Sequence, residues 1–256
     1  MCVAHDSQPP VAPIAGAAVE HRTLVLEAAD ANRLAAFHAL ADAPAGVGML
    51  VLPDVRGLSP FYEELALRFA ERGVDALVVD YYGRTAGTDP RGSDFDHAPH
   101  TRQCTWAGLR ADLATGAGAI RANGRVQRLF SVGFCMGGRL SFLLSSLPDL
   151  GMAGVVGFYG WPTGPGTSPA PIDEVTRMRA PLLGIFGGAD RGIDAADVTA
   201  FERALETAGV EHRVVTYPDA PHSFFDRRAA EHGAALAAAW SEVLAFIGVD
   251  ELPTAA

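Results

Sequence analysis

The sequence predicts one doubly wound α/β domain, in which a mostly parallel sheet of about eight strands is flanked by helices. Its 256 residues suit a single large domain, and 49% of them are hydrophobic, which is enough for an extensive core. Apolar runs of strand length alternate along the chain with segments whose apolar residues recur at helical spacing. The strand-like runs show no inside–outside alternation, which is typical of strands covered on both faces.

The first elements in chain order are an arm and a hairpin. Residues 1–18 are rich in Pro and Ala and predict an extended arm that lies on the surface or is partly disordered. Two strand-like runs follow, one on each side of a turn at Asp30 and Asn32, and this pattern indicates a hairpin. We expect the domain to span 19–250 and a short tail to occupy 251–256.

The remaining strands are six apolar runs of strand length. In order they are GVGMLVLP, VDALVVDYY, RLFSVGF, MAGVVGFYG, PLLGIFGG and HRVVTYP. The helical segments between them have apolar residues at helical spacing, and the first has Pro60 near its start and Gly73 at its end. In order they are PFYEELALRFAERG, WAGLRADLATGAGAIRANG, GGRLSFLLSSL, AADVTAFERALETAG and AAEHGAALAAAWSEVLAFIG.

Charge and composition argue against several classes of function. A net charge of −10 disfavours binding to nucleic acid or to an anionic membrane surface, because like charges repel. No run approaches the roughly 20 apolar residues of a membrane span, and the start does not resemble a secretory signal, so we expect cytoplasmic residence. Cys2, Cys104 and Cys135 are too few for a disulfide framework and lack the Cys-x-x-Cys spacing of a structural zinc site.

Cys135 stands between glycines in the segment GFCMGG, where a strand is predicted to turn into a helix. A nucleophile on such a turn has a strained backbone, so its neighbours Gly133 and Gly137 must lack bulk. Gly138 allows the helix to pack closely on the sheet, and the helix N-terminus favours a thiolate over a thiol. The alternative is a buried structural cysteine, which is the commoner role of a lone Cys.

A cysteine nucleophile needs a base, and the base needs an acid that orients it. Two later strand-like runs end in suitable residues, Asp190 in a Gly-rich loop and His222 in the loop after the last strand. Cys135, Asp190 and His222 follow one another in the chain order of the α/β-hydrolases, with Cys in place of Ser. Each residue alone is a weak signal, but the three together at strand ends predict a catalytic triad.

The segments GFCMGG, GGAD and PHSFFD together resemble the dienelactone hydrolase (carboxymethylenebutenolidase) family, and the similarity extends over most of residues 20–250. The resemblance implies an α/β-hydrolase fold without a large lid, in a monomer that needs no metal or organic cofactor. It also implies a role for each residue of the triad. Cys135 is the nucleophile, His222 is the general base and acid, and Asp190 orients His222.

The resemblance implies further roles around the thiol. An acidic residue after an earlier strand helps to activate the thiol in the family, and Asp54 of LPDVRG stands at that position, one methylene shorter than the Glu of the founding members. The backbone N–H groups of Val55 and Met136 should form the oxyanion hole. Asp226 stands where the dienelactone enzymes have an arginine that binds the substrate carboxylate, so this chain departs from the family there.

The polar insert after the VDALVV run should cover the mouth of the site and help to select the substrate. Tyr82 and Arg84 are candidate pocket residues, although Arg84 is equally well explained as a solvated loop charge. Tyr159 and Trp161, after a later strand, are expected to wall the pocket. We expect no metal site in the insert, because ligand sets normally draw on rigid elements. The four potential ligands there are Asp94, Asp96, His97 and His100.

The sequence therefore predicts a cysteine-dependent hydrolase of small esters or lactones that forms a thioester acyl-enzyme. The class I glutamine amidotransferases also have a cysteine elbow, but they need His-x-Glu after the last strand, and here His222 is followed by Ser and Phe. A non-catalytic protein that binds a small molecule or senses thiols with the same pocket remains an alternative. The expected partner is a small molecule, with neither nucleic acid nor membrane involved.

Overall fold

The computed structural model describes residues 7–17, 19–226 and 230–249. Its centre is a sheet of eight strands in the order β1-β2-β4-β3-β5-β6-β7-β8. The strands are β1 (Val19–Glu27), β2 (Arg33–Ala41), β3 (Val47–Leu52), β4 (Val74–Val79), β5 (Arg128–Phe134), β6 (Met152–Phe158), β7 (Leu182–Gly187) and β8 (His212–Tyr217). This sheet confirms the predicted fold class.

Strand direction divides the sheet into an antiparallel end and a parallel body. The predicted hairpin is present, because β1 pairs with β2 in antiparallel register from Val19 opposite Ala41 to Glu27 opposite Arg33. β2 is also antiparallel to β4. Every other pairing, from β4 across to β8, is parallel. The carboxyl ends of β3 to β8 therefore meet at one edge of the sheet, where ligands bind in open α/β sheets.

Helices connect the parallel strands. They are α1 (Pro60–Ala70), α2 (Gly83–Ala86), α3 (Ala98–Gln103), α4 (Trp106–Arg121), α5 (Met136–Leu144), α6 (Ala195–Ala208) and α7 (Gly233–Ile247), with 3₁₀ turns at Pro148–Leu150, Pro171–Arg177 and Ala230–His232. Every residue of β3, β4 and β7 is buried, which explains why these runs show no alternation. Within the described ranges, no helix is long and apolar enough to cross a membrane.

The insert after β4 is more ordered than its sequence indicates. It contains α2 and α3, which are too short to be stable by themselves and depend on tertiary contacts. Asp80, fully buried at the end of β4, accepts two hydrogen bonds of 2.6 and 2.7 Å from the guanidinium of Arg91. That guanidinium also lies over the rings of Tyr82 and Phe95. A bidentate ion pair therefore fastens the insert to the sheet.

The described part of the N-terminal arm, residues 7–17, packs against the domain. Val11 is buried in the core, and the Ile14 N–H donates to Glu71 Oε2 at 3.0 Å. The hydroxyl of Ser7, also buried, donates to Asp226 Oδ2 at 2.7 Å. The arm thus reaches the loop that follows β8. Cys2 lies outside the described residues.

Candidate active site

Five of the candidate side chains follow five different strands of the parallel body. Asp54 comes after β3, Cys135 directly after β5, Tyr159 directly after β6, Asp190 after β7 and His222 after β8. Because these strands are parallel neighbours, their carboxyl ends place the five residues along the same edge of the sheet.

The backbone at Cys135 is a left-handed elbow. Its φ of 55° and ψ of −113° lie in a region that non-glycine residues rarely adopt, at a cost of about 1–3 kcal/mol. The glycines around it are required by close approach, since a Cβ on Gly133 would collide with the carbonyl oxygen of Gly137. A Cβ on Gly137 would collide with the carbonyl oxygen of Leu52 at the end of β3. The sheet and α5 together therefore hold the elbow.

The elbow places the side chain of Cys135 at the N-terminus of α5. Cys135 is 3% exposed and immediately precedes Met136, the first residue of the helix. The N–H groups of the first helical turn have no partner within the helix, and together they carry a partial positive charge. This charge favours the thiolate form of a cysteine at the helix start.

His222 and Asp190 form a hydrogen-bonded pair. Nδ1 of His222 lies 2.7 Å from Oδ2 of Asp190, and because an ionised carboxylate only accepts, the hydrogen bond requires Nδ1–H as its donor. Nε2 of His222 is buried and has no hydrogen-bond partner within the described part of the chain. A neutral imidazole held in this way keeps Nε2 as a proton acceptor.

Backbone donors help to keep Asp190 ionised. Its Oδ1 accepts hydrogen bonds from the N–H groups of Gly192 at 2.7 Å and Ile193 at 3.3 Å. Burial raises the pKa of Asp190, but the hydrogen bonds from His222 and from these amides outweigh burial, so the pKa lies below its ordinary value. The pair therefore presents a carboxylate to the imidazole at neutral pH.

Two aromatic rings cover His222. The ring of Tyr159 lies 4.9 Å from the imidazole between centroids, and the ring of Trp161 lies 4.8 Å from it. Tyr159 has a φ of 38° and is almost completely buried. The indole N–H of Trp161 donates to the carbonyl of Gly192 at 2.8 Å, on the loop that also carries Asp190. Both rings thus lie against His222, and their role as pocket walls stays a prediction.

Asp54 is a buried carboxyl group with a different environment. Its Oδ1 accepts the N–H of Arg56 at 2.8 Å, and its Oδ2 lies 3.6 Å from the Arg56 guanidinium. Its own N–H donates to the hydroxyl of Tyr62 at 2.9 Å. Burial raises the pKa of Asp54 above its ordinary value, although Arg56 acts in the opposite direction. Arg56 was not predicted as part of the site, although its position two residues after Asp54 could have indicated it.

The two predicted backbone donors occupy the loops after β3 and β5. Val55 is half-buried, and its carbonyl accepts a short hydrogen bond from the hydroxyl of Tyr82. The same hydroxyl is 2.7 Å from Oγ1 of Thr101 in α3, so Tyr82 ties the insert to the Val55 loop. Burial raises the pKa of Tyr82, which keeps its hydroxyl protonated as the donor. The Met136 N–H belongs to the first turn of α5.

Arg84 does not join the other candidates. Its guanidinium forms ion pairs with Asp30 at 2.7 Å and Asp112 at 2.8 Å, and it also donates to the carbonyl of Gly108. These contacts lock α2 to the hairpin turn and to α4. Because its donors are occupied in this way, Arg84 is not part of the site that we propose below.

Asp226 and the polar insert have contacts of other kinds. Asp226 accepts the hydrogen bond from Ser7, while the neighbouring residues 227–229 lie outside the described part of the chain. Nδ1 of His100 lies 2.9 Å from the hydroxyl of Thr85, and Oδ1 of Asp96 accepts a backbone N–H. Among the described residues, no group of three or more His, Cys, Asp and Glu side chains could hold a metal ion.

A known protein family matches most of the chain. The model of the "Dienelactone hydrolase family" matches residues 34–249. A protein of Escherichia coli (strain K12), named "Putative carboxymethylenebutenolidase", is 32% identical over 227 residues, which cover 83% of this chain and 81% of that protein. A Bradyrhizobium protein, named "Probable 2-oxo-3-(5-oxofuran-2-ylidene)propanoate lactonase", is 25% identical over 205 residues, covering 78% of this chain and 82% of that protein.

Solved structures share the fold. The structure titled "Putative Dienelactone Hydrolase from Klebsiella pneumoniae subsp. pneumoniae MGH 78578" superposes with a TM-score of 0.78 at 24% identity, covering 90% of this chain and 99% of that one. A "Dienelactone Hydrolase-like Promiscuous Phospotriesterase P91" from metagenomic libraries superposes with a TM-score of 0.71 at 22% identity, covering 91% and 98%. At these identities, the likeness establishes the architecture.

Proposed function

The chain belongs to the dienelactone hydrolase family, and on that premise we propose that it hydrolyses small carboxylic esters or lactones with Cys135 as the nucleophile. The observation that carries this proposal is the positive-φ elbow at Cys135, which directs a side chain to the edge of the sheet where the hydrogen-bonded pair of His222 and Asp190 lies. The names of the relatives, a carboxymethylenebutenolidase and a lactonase, support the same class of substrate.

In the first half of the proposed reaction, the enzyme is acylated. The Cys135 thiol transfers its proton to Nε2 of His222, and the thiolate attacks the carbonyl carbon of the ester. The N–H groups of Val55 and Met136 donate to the oxyanion that develops. When this intermediate collapses, the carbon–oxygen bond of the ester breaks, and the departing alkoxide takes the proton from Nε2. An acyl thioester on Cys135 remains.

In the second half, water releases the acid. Nε2 of His222 accepts a proton from water while the oxygen attacks the thioester carbonyl, and the same two N–H groups stabilise the second oxyanion. The carbon–sulfur bond then breaks, Cys135 leaves as a thiolate that takes the proton from Nε2 to restore the thiol, and the carboxylic acid departs. Asp190 stabilises the imidazolium that exists between these proton transfers. The sequence consumes one water for each ester bond and needs no further co-reactant.

Asp54 has a supporting role in this proposal. Its raised pKa makes its carboxylate a better proton acceptor than an ordinary aspartate, so it can relay the thiol proton to Nε2 of His222 during acylation. Aspartate is shorter than the glutamate found in the family's founding members, and Arg56 partly neutralises it. Both features favour a resting thiol that becomes a thiolate only when substrate binds.

The substrates that we propose are uncharged esters and lactones. Asp226 is negatively charged and already accepts a hydrogen bond from Ser7, so its position offers no cation to a substrate carboxylate. Trp161, which is partly exposed, instead offers aromatic surface beside His222. Aromatic surface of this kind suits an apolar acyl or alcohol group.

The test is hydrolysis of p-nitrophenyl acetate and of a dienelactone by the wild type and by Cys135→Ala, with and without iodoacetamide. We expect the wild type to hydrolyse the simple ester, and both the substitution and the reagent to reduce turnover to the background rate. Turnover by Cys135→Ala would overturn the proposal. Stoichiometric labelling of Cys135 without turnover of either compound would favour a thiol-sensing protein instead.

A further inference from the structure

Arg139 is a buried cation without a carboxylate partner in the described part of the chain. It lies in the first turn of α5, four residues after Cys135, and is 7% exposed. Within the described ranges no acidic side chain forms an ion pair with it, although Asp173 is near enough to counteract weakly the lowering of its pKa by burial. A buried guanidinium is costly unless its N–H groups are hydrogen-bonded, so the partners of Arg139 explain its presence.

Those partners belong to one loop, which follows β6. Nε donates to the Ser168 hydroxyl at 3.1 Å, and the two terminal nitrogens donate to backbone carbonyls at 2.8–3.3 Å. The carbonyls are those of Trp161, Thr163, Gly164, Ser168 and Pro169. The planar guanidinium, with five N–H donors in fixed directions, thus gathers the whole loop 161–169 around itself.

The loop also begins in close contact with α5. A Cβ on Gly160 would collide with the backbone N of Arg139, so the chain leaves β6 directly against the helix that carries Cys135. Trp161 follows at once, with its carbonyl bound to Arg139 and its indole turned to the site. Arg139 therefore holds the backbone of Trp161, while the ring of Trp161 contacts His222.

From Trp161 the contacts continue to the candidate catalytic pair. Its ring packs against the imidazole of His222 at 4.8 Å, and its indole N–H donates to the Gly192 carbonyl at 2.8 Å. The N–H of Gly192 in turn donates to Asp190 Oδ1 at 2.7 Å. The Trp161 side chain thus contacts the base directly and the acid through one residue, Gly192.

We propose that Arg139 is a positioning residue, which holds His222 and Asp190 in their reactive arrangement through Trp161. This inference rests on the proposed function, because it concerns the placement of the base relative to the Cys135 thiol. Misplacement of reacting groups by about 1 Å can reduce a rate by about 100-fold without removing any reacting group. Arg139 therefore acts mainly on the chemical steps and less on substrate affinity, to which the ring of Trp161 contributes in the proposed function.

The variants that test it are Arg139→Met, Arg139→Lys and Trp161→Phe, assayed for kcat and KM on p-nitrophenyl acetate. We expect Arg139→Met to lower kcat by about 10- to 100-fold with KM within about threefold, and Arg139→Lys to recover part of the loss. Trp161→Phe keeps a ring but removes the hydrogen bond to Gly192, and should lower kcat about fivefold.

The matched control is Arg121→Met. Arg121 also donates to a backbone carbonyl, that of Gly151 at 2.9 Å, but it does so at the opposite end of β6. We expect its kcat and KM to equal those of the wild type. In a double-mutant cycle, Arg139→Met should cost less in the Trp161→Phe background than alone, because the two residues act in series. Full additivity would overturn the inference.

A purely structural role predicts different results. It would lower the melting temperature of Arg139→Met but leave kcat of the folded enzyme within twofold, and that outcome overturns the inference. If Arg139→Met does not fold, Arg139→Lys and Trp161→Phe provide the test. A loss of kcat in these variants at an unchanged melting temperature supports the positioning role of Arg139. Wild-type kcat values in both variants overturn it. Turnover by Cys135→Ala would instead overturn the proposed function.

Fluorescence supplies a readout that does not depend on turnover. With Trp106→Phe and Trp240→Phe as background, the emission reports Trp161 alone. Release of the indole from its contacts with His222 and Gly192 should make Arg139→Met more accessible to acrylamide quenching than the background protein. Unchanged quenching would overturn the proposal that Arg139 holds Trp161 in place, even if the protein proved inactive on every ester.

Discussion

Asp54 and Asp190 are the same residue type at the same edge of the sheet, yet their environments shift their pKa values in opposite directions. Both side chains are almost completely buried, at 3% and 1% exposure. Burial dominates at Asp54 and raises its pKa, although Arg56 and the hydroxyl of Tyr62 act in the opposite direction. At Asp190, His222 and two amides donate to the carboxylate directly and lower its pKa.

In the proposed mechanism, this difference suits one residue type to two tasks. A carboxylate with a low pKa remains charged and orients an imidazole, whereas one with a raised pKa can accept a proton. Burial acts on both carboxyl groups and outweighs their donors at Asp54, whereas the hydrogen bonds to Asp190 outweigh burial there. Substitutions at Asp54 and Asp190 should therefore change the pH dependence of stability in opposite directions.

The largest effect is expected for Asp190→Ala. Without the carboxylate, Nδ1 of His222 loses the partner that fixes its tautomer, and kcat on p-nitrophenyl acetate should fall by about 10³- to 10⁴-fold. The control is Asp194→Asn, four residues later, because Asp194 makes no side-chain capping bond to α6. Its kcat should match the wild type. If Asp190→Ala stays within tenfold of the wild type, Asp190 does not serve His222 in the reaction.

A smaller effect is expected for Asp54→Ala. Loss of the assisting proton acceptor should lower kcat, and the rate of alkylation of Cys135 during turnover, by about 100-fold. Alkylation is best followed in a Cys2→Ser, Cys104→Ser background, although burial already raises the pKa of Cys104 to about 11 and slows its reaction. Equal alkylation rates with and without Asp54 would show that the thiol is activated by other groups.

The control for Asp54→Ala is Asp75→Asn. Asp75 is equally buried, but it lies at the start of β4, at the opposite edge of the sheet, where it pairs with Arg125 at 3.0 Å. This substitution should lower the melting temperature and leave kcat within twofold of the wild type. A comparable loss of kcat there would mean that any buried carboxylate supports activity through stability alone.

The smallest effect is a difference in thermal stability. The folded-state pKa of Asp54 is raised, so its contribution to stability is present at low pH and is lost as pH rises through that pKa. The folded-state pKa of Asp190 is lowered, so its contribution is present above the unfolded value and is lost as pH falls. The melting temperatures of Asp54→Asn and Asp190→Asn, measured relative to wild type, should therefore change in opposite directions between pH 4 and pH 7.

Each change should amount to about 2–4 °C, the shift that corresponds to about 1 kcal/mol in a chain of this size. Asp54→Asn should gain stability relative to wild type as pH rises, and Asp190→Asn should lose it. Slopes of the same sign would contradict the opposing environments described above. Differential scanning calorimetry in buffers of equal ionic strength makes the comparison direct.

Local pattern was enough to predict most of the fold. The eight strands, the hairpin and the helices α1 and α4 to α7 follow from apolar runs and from glycine and proline signals that lie within each element. The elbow at Cys135 was equally local, because the glycines that permit its backbone are its near neighbours in sequence. Chain order alone then suggested Asp190 and His222 as partners, and these two residues are hydrogen-bonded.

Contacts between distant segments were not predictable from the same signals. Arg84 looked like a solvated or pocket residue because its partners Asp30 and Asp112 lie on other elements. Arg139 was not predicted as a functional residue, because the sequence of a helix does not show which backbone carbonyls a later loop will bring to its side chains. Helices α2 and α3 were not predicted, because they are too short for helix propensity to indicate them. Tertiary packing decides each of these cases.

The hydrogen bond between Ser7 and Asp226 joins residues 219 positions apart in the chain. The arm therefore behaves as a tethered ligand of the His222 loop, present at an effective concentration that a short tether sets in the millimolar range. A separate peptide with the sequence of residues 7–17 would have to reach similar concentrations to displace it. Position 226 holds a negatively charged aspartate where the resemblance predicts a positively charged arginine. The side chain at this position, expected to contact substrate, instead contacts Ser7 of the same chain.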